Sequence, residues 1–126
     1  MQALLAVAVG GATGSVARYL LAGWIARLVG TGFPWGIMAI NVLGSFAMGV
    51  IVEGAALRWN MSNDLRAFIA VGILGGFTTF SSFSLDAVML LQRNELVTAF
   101  AYIVGSVALS LAALFLGLLL IRHLFG

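Results

Sequence analysis

The sequence predicts an all-α integral membrane protein with four transmembrane helices, the third of which is broken near its middle. The 126 residues are 63% hydrophobic and only 8% charged, whereas a soluble domain carries about a quarter charged residues. The apolar stretches are continuous rather than alternating, which indicates helices, since only helices and closed barrels span lipid. The polar breaks are short, so we predict one transmembrane domain over residues 1–126.

The first two predicted spans, residues 4–28 and 35–52, are separated by a short loop. Its sequence "GTGFPWG" (residues 30–36) contains the only proline of the chain and two aromatic residues. Proline and glycine interrupt helices, and aromatic residues such as Trp35 favour the membrane interface. We therefore expect this loop to lie at the membrane surface.

The third predicted span, residues 65–91, is longer than a bilayer requires. At about 1.5 Å per residue it would measure roughly 40 Å, against a hydrocarbon core of roughly 30 Å. We expect a helix break at Gly75 and Gly76, because glycine pairs are positions at which helices bend. Non-helical backbone inside a membrane must face protein or a polar cavity. We also predict that Asn63 caps the start of this span.

The fourth predicted span, residues 96–121, follows a polar turn at residues 92–95. Tyr102, Ser106 and Ser110 recur in it at four-residue steps. Side chains at this spacing lie on one face of a helix, so they form a polar stripe on an otherwise apolar helix.

The loop charges leave the orientation open. With four spans, both termini and the central loop share one side, which carries Arg58, Arg66 and Arg122, while the other side carries Arg27 and Arg93. This near balance scarcely decides the orientation by the positive-inside rule. Either one orientation prevails, or both occur and two opposed copies form an antiparallel homodimer. Since four helices enclose little volume and dimers are the commonest oligomers, we expect a dimer.

Arg18 and Asp86 are charged side chains inside predicted spans. Arg18 shares a helix face with Gly10 and Gly14, and a buried arginine in lipid is expensive and usually functional or paired. It either has a buried structural or electrostatic role or extends to the membrane surface. Asp86 is a proton carrier, a counter-charge for an arginine, or an interface residue.

The segment "GGFTTFSSFS" (residues 75–84) combines aromatic rings with hydroxyl groups. Phe80 and Phe83 share one helix face, and Ser81 and Ser84 share the adjacent face. Each pair alone is typical of ordinary helix packing. Together with Asn41 in the second span, they offer positive ring edges and hydrogen-bond donors, a combination that stabilises a small anion.

Composition argues against several other classes of protein. The chain has no cysteine and a single histidine, His123, so we expect no disulfide and no thiolate or histidine metal site. An enzyme is not expected, because there is no Ser/His/Asp constellation and no phosphate-binding glycine loop followed by lysine. A formal net charge of +2 carried by so few charged residues gives no reason to expect a nucleic-acid partner.

Four segments of the sequence resemble the CrcB/Fluc fluoride channels of bacteria. They are "GGATGSVARYLL" (10–21), "WGIMAINVLGSFAMG" (35–49), "GGFTTFSSFS" (75–84) and "GSVALSL" (105–111). The resemblance covers all four spans in order, and its third segment is the most specific. It implies an antiparallel, dual-topology homodimer with two pores in the bacterial inner membrane. It also implies passive export of cytoplasmic fluoride, which gives fluoride resistance.

The resemblance also implies roles for individual residues. Asn41 would be the amide donor of the pore, and Phe80 and Phe83 its aromatic box. The hydroxyl track and the pore wall on the fourth span would comprise Ser81, Ser82, Ser84, Tyr102 and Ser106. Backbone carbonyls of Gly75 and Thr78 from both subunits would hold a structural sodium ion at the dimer axis. Arg18 would be the arginine that the family carries in its first span.

Two positions depart from the family pattern. Ile37 stands where family members often carry threonine, which removes one hydroxyl from the outer track, and Asp86 stands where glutamate is common. A small multidrug exporter with proton coupling is the main alternative, although that class uses a glutamate in its first span, where this chain has Arg18. A non-transporting assembly subunit is a third possibility, which would explain the glycines but not the aligned donors.

Overall fold

The computed structural model describes residues 2–126, which contain four helical stretches long and apolar enough to cross a membrane. The third stretch is interrupted, and the other three are continuous helices. In chain order the elements are α1 (Gln2–Val29), α2 (Trp35–Leu57), α3 (Asn63–Arg66), a π-helical segment (Ala67–Leu74), α4 (Gly75–Phe77), α5 (Phe80–Gln92) and α6 (Leu96–Phe125). The predicted fold of four spanning helices with a broken third helix is confirmed.

Helix α2 extends beyond the predicted span, and the predicted N-cap of the third span is wrong. Helix α2 continues past residue 52 to Leu57, where the N–H of Arg58 closes the last turn on the Gly54 carbonyl oxygen at 2.9 Å. Ser62, rather than Asn63, caps α3, since its hydroxyl accepts the Leu65 N–H at 3.1 Å. Asn63 is already the first residue of the helix, so its side chain does not serve as the cap.

The break in the third span lies at Thr78 and Thr79, so the predicted position at Gly75 and Gly76 is wrong. Gly75 has helical angles, with φ −64° and ψ −37°. The backbone is extended at Thr78, with ψ 157°, and at Thr79, with φ −152° and ψ 122°. Gly76 stays helical because it provides close approach to α1, where an added Cβ would lie 2.6 Å from the Gly11 carbonyl oxygen.

Helix α1 packs backbone to backbone against the first half of the third span. Gly10 and Gly14 are buried, and a Cβ on Gly10 would lie 2.6 Å from the Phe68 carbonyl oxygen. A Cβ on Gly14 would clash with the Ile73 carbonyl oxygen. The π-helical segment therefore meets the small-residue face of α1, and this contact brings Arg18, one turn further on, to the break.

Helices α2 and α6 form the second close pair. A Cβ on Gly49 would clash with the Leu114 carbonyl oxygen, and one on Gly117 would clash with that of Phe46. At one end of this pair, Arg122 Nη2 lies 2.6 Å from the Glu53 carboxylate. Helix α5 packs between α2 and α6 through a buried cluster of Met38, Phe83, Ala87, Leu90, Ala99 and Tyr102. These contacts hold α5, which starts directly after the break, against α2 and α6.

Candidate functional site

Asn41 of α2 holds the extended backbone of the break. Its side-chain amide donates to the Thr79 carbonyl oxygen at 3.0 Å, and its own oxygen accepts the Thr79 N–H at 2.8 Å. Both backbone groups of Thr79 thus receive a partner in place of the helical bonds that the break removes. A primary amide carries two hydrogens, and this pairing uses one of them. Asn41 therefore fixes the break and keeps a further donor.

The hydroxyl groups around the break start helix α5. Thr79 is the N-cap, and its hydroxyl accepts the Ser82 N–H at 3.1 Å and lies 3.3 Å from the Ser81 hydroxyl. The Ser84 hydroxyl donates to the Phe80 carbonyl oxygen at 2.9 Å. Ser81 and Ser84, which belong to the predicted hydroxyl track, thus have local hydrogen-bond partners.

One cavity of about 380 Å³ lies beside the break and between α2, α5 and α6. It brings together Asn41, Phe80, Phe83 and Ser106, four of the predicted pore residues. Its other lining residues are Gly44, Ser45, Met48, Thr78, Thr79, Val107, Ser110 and Leu114. The cavity therefore has aromatic and aliphatic walls with a few hydrogen-bond donors, as is usual for a site that selects a small ligand.

Ser106 places a hydroxyl with no protein partner in this cavity. The residue is 4% exposed, and its Oγ is buried without a hydrogen-bond partner among residues 2–126. An unsatisfied buried hydroxyl costs about 1–3 kcal/mol. Such a group is available to donate to a water, an ion or a ligand that enters the cavity.

The aromatic side chains of α5 differ in their surroundings. Phe83 is buried, whereas Phe80 is 78% exposed on the single chain, with 5.6 Å between the two ring centroids. Phe83 also stacks on Tyr102 at 5.2 Å. Tyr102 is fully buried and donates its hydroxyl to Asp86 at 3.3 Å. Tyr102 is thus behind the cavity wall, with Asp86 as its hydrogen-bond acceptor.

The side chain of Arg18 reaches the break in the third span. Its Nη1 donates to the Thr78 carbonyl oxygen at 3.4 Å, and the neighbouring Ser15 hydroxyl reaches the Gly76 carbonyl oxygen at 3.5 Å. Arg18 also lines a second cavity of about 710 Å³, together with Arg27, Ile37 and Ser82 among others. Ser82 therefore lies apart from the first cavity, and Ile37, where the family resemblance implies a threonine, lies on the side that carries two arginines.

The pairing of Asn41 with Thr79 changes the hydrogen bonding of the carbonyl oxygens near the break. Because the Thr79 N–H donates to Asn41, it is not available to the carbonyls of α4, which include that of Gly75. The Thr78 carbonyl oxygen accepts only a long bond from Arg18, at 3.4 Å. Backbone carbonyls are suitable ligands for sodium, although the guanidinium beside Thr78 makes the potential there less negative.

Thr79 is the functional residue that the sequence reasoning missed. It supplies the N-cap of α5, the backbone that pairs with Asn41, and part of the cavity wall. Threonine is a favoured N-cap residue, but this signal can be used only if a helix is expected to restart at Phe80, which the sequence does not predict. The sequence instead predicts the break at the glycine pair, Gly75 and Gly76, which precedes this threonine.

Comparison with known proteins identifies the family. A family model described as "CrcB-like protein, Camphor Resistance (CrcB)" matches residues 5–118. A protein of Agrobacterium fabrum named "Fluoride-specific ion channel FluC" is 55% identical over 119 residues, which cover 94% of this chain and 95% of that protein. Proteins of the same name from Rhizobium etli and Rhodospirillum centenum are 53% and 52% identical, each over at least 97% of both chains. This chain is a multi-pass membrane protein and belongs to the CrcB family.

Proposed function

We propose that this chain forms a fluoride-selective channel that passively exports fluoride across the bacterial inner membrane and so gives fluoride resistance. The observation that carries the proposal is the buried Ser106 hydroxyl, which has no partner among residues 2–126 and lines one cavity with Asn41, Phe80 and Phe83. The relatives named as fluoride-specific ion channels support the same function. We propose a channel and not an enzyme, and the relatives named as ion channels support this choice.

The lining of the cavity suits fluoride for physical reasons. Fluoride is small and strongly hydrated, so a narrow protein path must replace its water with hydrogen-bond donors. Asn41 and Ser106 supply donors, and the edges of Phe80 and Phe83 supply weak positive potential. A few weak sites let the ion enter and leave, which conduction requires.

The proposed channel is an antiparallel homodimer with two pores. On a single chain the cavity is open and Phe80 is 78% exposed, so a second copy would complete the wall and cover the polar groups from lipid. The near balance of arginines on the two sides supports insertion in both orientations. Light scattering of the purified protein should give the mass of two chains, and a monomer that conducts fluoride would overturn this part of the proposal.

A structural sodium ion at the dimer axis is part of the proposal. Carbonyl oxygens of Gly75 and Thr78 from both chains would hold it, and the ion would supply fixed positive charge beside them. Exchange of sodium for a bulky organic cation should lower the thermal stability of the dimer. Equal stability in the two salts would remove the ion from the account.

Liposomes that contain the purified chain alone test the proposed function. When the membrane is made permeable to potassium, internal fluoride should leave quickly and chloride should stay. Chloride is larger than fluoride and less strongly hydrated, so it fits this lining less well and gains less from its hydrogen-bond donors. Protein-free liposomes give the leak. Equal loss of chloride, or fluoride movement only when a proton gradient is imposed, would overturn the proposal, and the second result would favour a coupled exporter.

A further inference from the structure

Five aromatic rings form a continuous chain from the helix break to the loop between α1 and α2. The centroids are 5.6 Å apart for Phe80 and Phe83, 5.2 Å for Phe83 and Tyr102, 5.5 Å for Tyr102 and Phe33, and 4.5 Å for Phe33 and Trp35. The first two line the proposed pore. The last two belong to the loop and the start of α2, so the pore wall is connected through Tyr102 to the membrane surface.

Phe33 is anchored although it lies in a loop. The loop starts at Gly30, whose φ of +82° few other residues adopt. It ends where the Trp35 N–H donates to the Phe33 carbonyl oxygen at 2.8 Å. The Phe33 ring is partly buried against the cluster that contains Met38, Phe83 and Tyr102. The loop thus directs this ring inward at a fixed place.

Two aromatic contacts and one hydrogen bond orient the Tyr102 ring within its buried cluster. Phe83 stacks on it with 37° between the ring planes, and Phe33 meets it at 85°, in a T-shaped arrangement. Its hydroxyl donates to Asp86 at 3.3 Å. Phe83 and Asp86 are on α5, which carries the proposed pore wall, so among these three contacts Phe33 is the one that comes from outside that helix. Met38 of α2 also packs in the same cluster, but Phe33 makes the aromatic contact.

We propose that Phe33 is a positioning residue of the pore, which fixes Tyr102 and, through it, the Phe83 ring. The inference rests on the proposed fluoride conduction. Loss of the T-shaped contact lets the Tyr102 ring tilt and relaxes the Phe83 ring that stacks on it. Phe33 itself does not line the cavity, so its effect on conduction is indirect.

The test compares fluoride efflux from liposomes for three variants. Phe33→Leu keeps an apolar side chain but loses the ring, and it should lower the flux about three- to tenfold, as expected for one T-shaped aromatic contact. Phe33→Tyr keeps the ring and should restore the flux to within about twofold of wild type. Phe100→Leu is the matched control, since Phe100 is on α6, lines neither cavity and is not part of the aromatic chain, and its flux should equal that of wild type.

A double-mutant cycle separates positioning from a general loss of structure. In a Tyr102→Leu background the ring that Phe33 holds is absent, so Phe33→Leu should change the flux less than about twofold. An equal fold-loss in both backgrounds would overturn the proposal, as would full flux in Phe33→Leu alone. The thermal midpoint and dimer mass are measured for every variant, and Phe33→Met replaces Phe33→Leu if the latter does not assemble.

Failure of the inference is distinct from failure of the proposed function. Wild-type liposomes without fluoride efflux would reject the function itself. Wild-type liposomes with fluoride efflux, combined with unchanged efflux in Phe33→Leu, would reject only the role of Phe33.

Discussion

The buried hydroxyl of Ser106 lowers the stability of the fold but serves the proposed conduction of fluoride. Its hydroxyl is buried without a partner among residues 2–126, and leaving such a group unpaired costs about 1–3 kcal/mol. Packing alone would favour alanine at this position. Retention of serine is explained if the hydroxyl donates to fluoride as the ion passes between Asn41 and the aromatic wall.

Removal of this hydroxyl should therefore separate stability from conduction. We predict that Ser106→Ala leaves the thermal midpoint unchanged or raises it slightly, because an unsatisfied buried group is removed. Fluoride efflux should fall at least about fivefold, as expected for the loss of one hydrogen bond to an ion. Both quantities are measured on the same purified dimer.

Thr13→Ala is the control for Ser106→Ala. The Thr13 hydroxyl donates to the Val9 carbonyl oxygen of its own helix at 2.9 Å, so its loss should change neither stability nor efflux appreciably. A Ser106→Ala protein that unfolds more easily and conducts normally would contradict the account, because it would show that the hydroxyl has a structural partner in the assembled protein.

The polar stripe of α6 shows what the sequence predicts at the residue scale. Ser106 and Ser110 line the cavity together, as their spacing on a continuous helix predicts. Tyr102 has the same spacing but donates to Asp86, and this depends on how α5 packs against α6. Helical periodicity gives the face of a residue, whereas its partner is decided by a second helix.

The helix break shows the same limit at the scale of an element. The length of the third span predicts that a break exists, and the structure confirms it. Its position is determined by Asn41, which lies 38 residues earlier in the chain and pairs with the backbone of Thr79. The glycines that suggested another position are instead used for close contact with α1.

The contact between α1 and the third span gives a prediction about stability. Gly14→Ala should lower the thermal midpoint of the dimer, because the added Cβ would clash with the Ile73 carbonyl oxygen. Overpacking of this kind costs about 1–3 kcal/mol, more than alanine gains by its helix propensity. Thermal unfolding in detergent, followed by circular dichroism, provides the measurement.

Gly11→Ala is a matched control one turn away on the same helix. A Cβ built on Gly11 meets no atom within 4 Å among the described residues, so this variant should be at least as stable as wild type. Equal destabilisation by both substitutions would show that glycine is needed for helix flexibility or for the dimer contact, and not for the approach of α1 to the π-helical segment.

At the scale of the whole molecule, the break separates two cavities of different character. The cavity on one side holds Asn41, Ser106 and the phenylalanines, and the cavity on the other holds Arg18 and Arg27. The four spans and their order follow from the apolar stretches and polar breaks along the sequence. The two cavities do not, because they arise from how α1 and α2 are placed on either side of the break.

The central claim is that an ion moves through this protein by diffusion alone and that the ion is fluoride. The measurement that tests it most directly is the reversal potential of the purified chain in a planar lipid bilayer. A tenfold fluoride gradient with equal chloride and equal pH on both sides should give about 59 mV, the equilibrium potential of a monovalent ion. A potential near zero, or one that follows an imposed pH gradient instead of the fluoride gradient, would contradict the account.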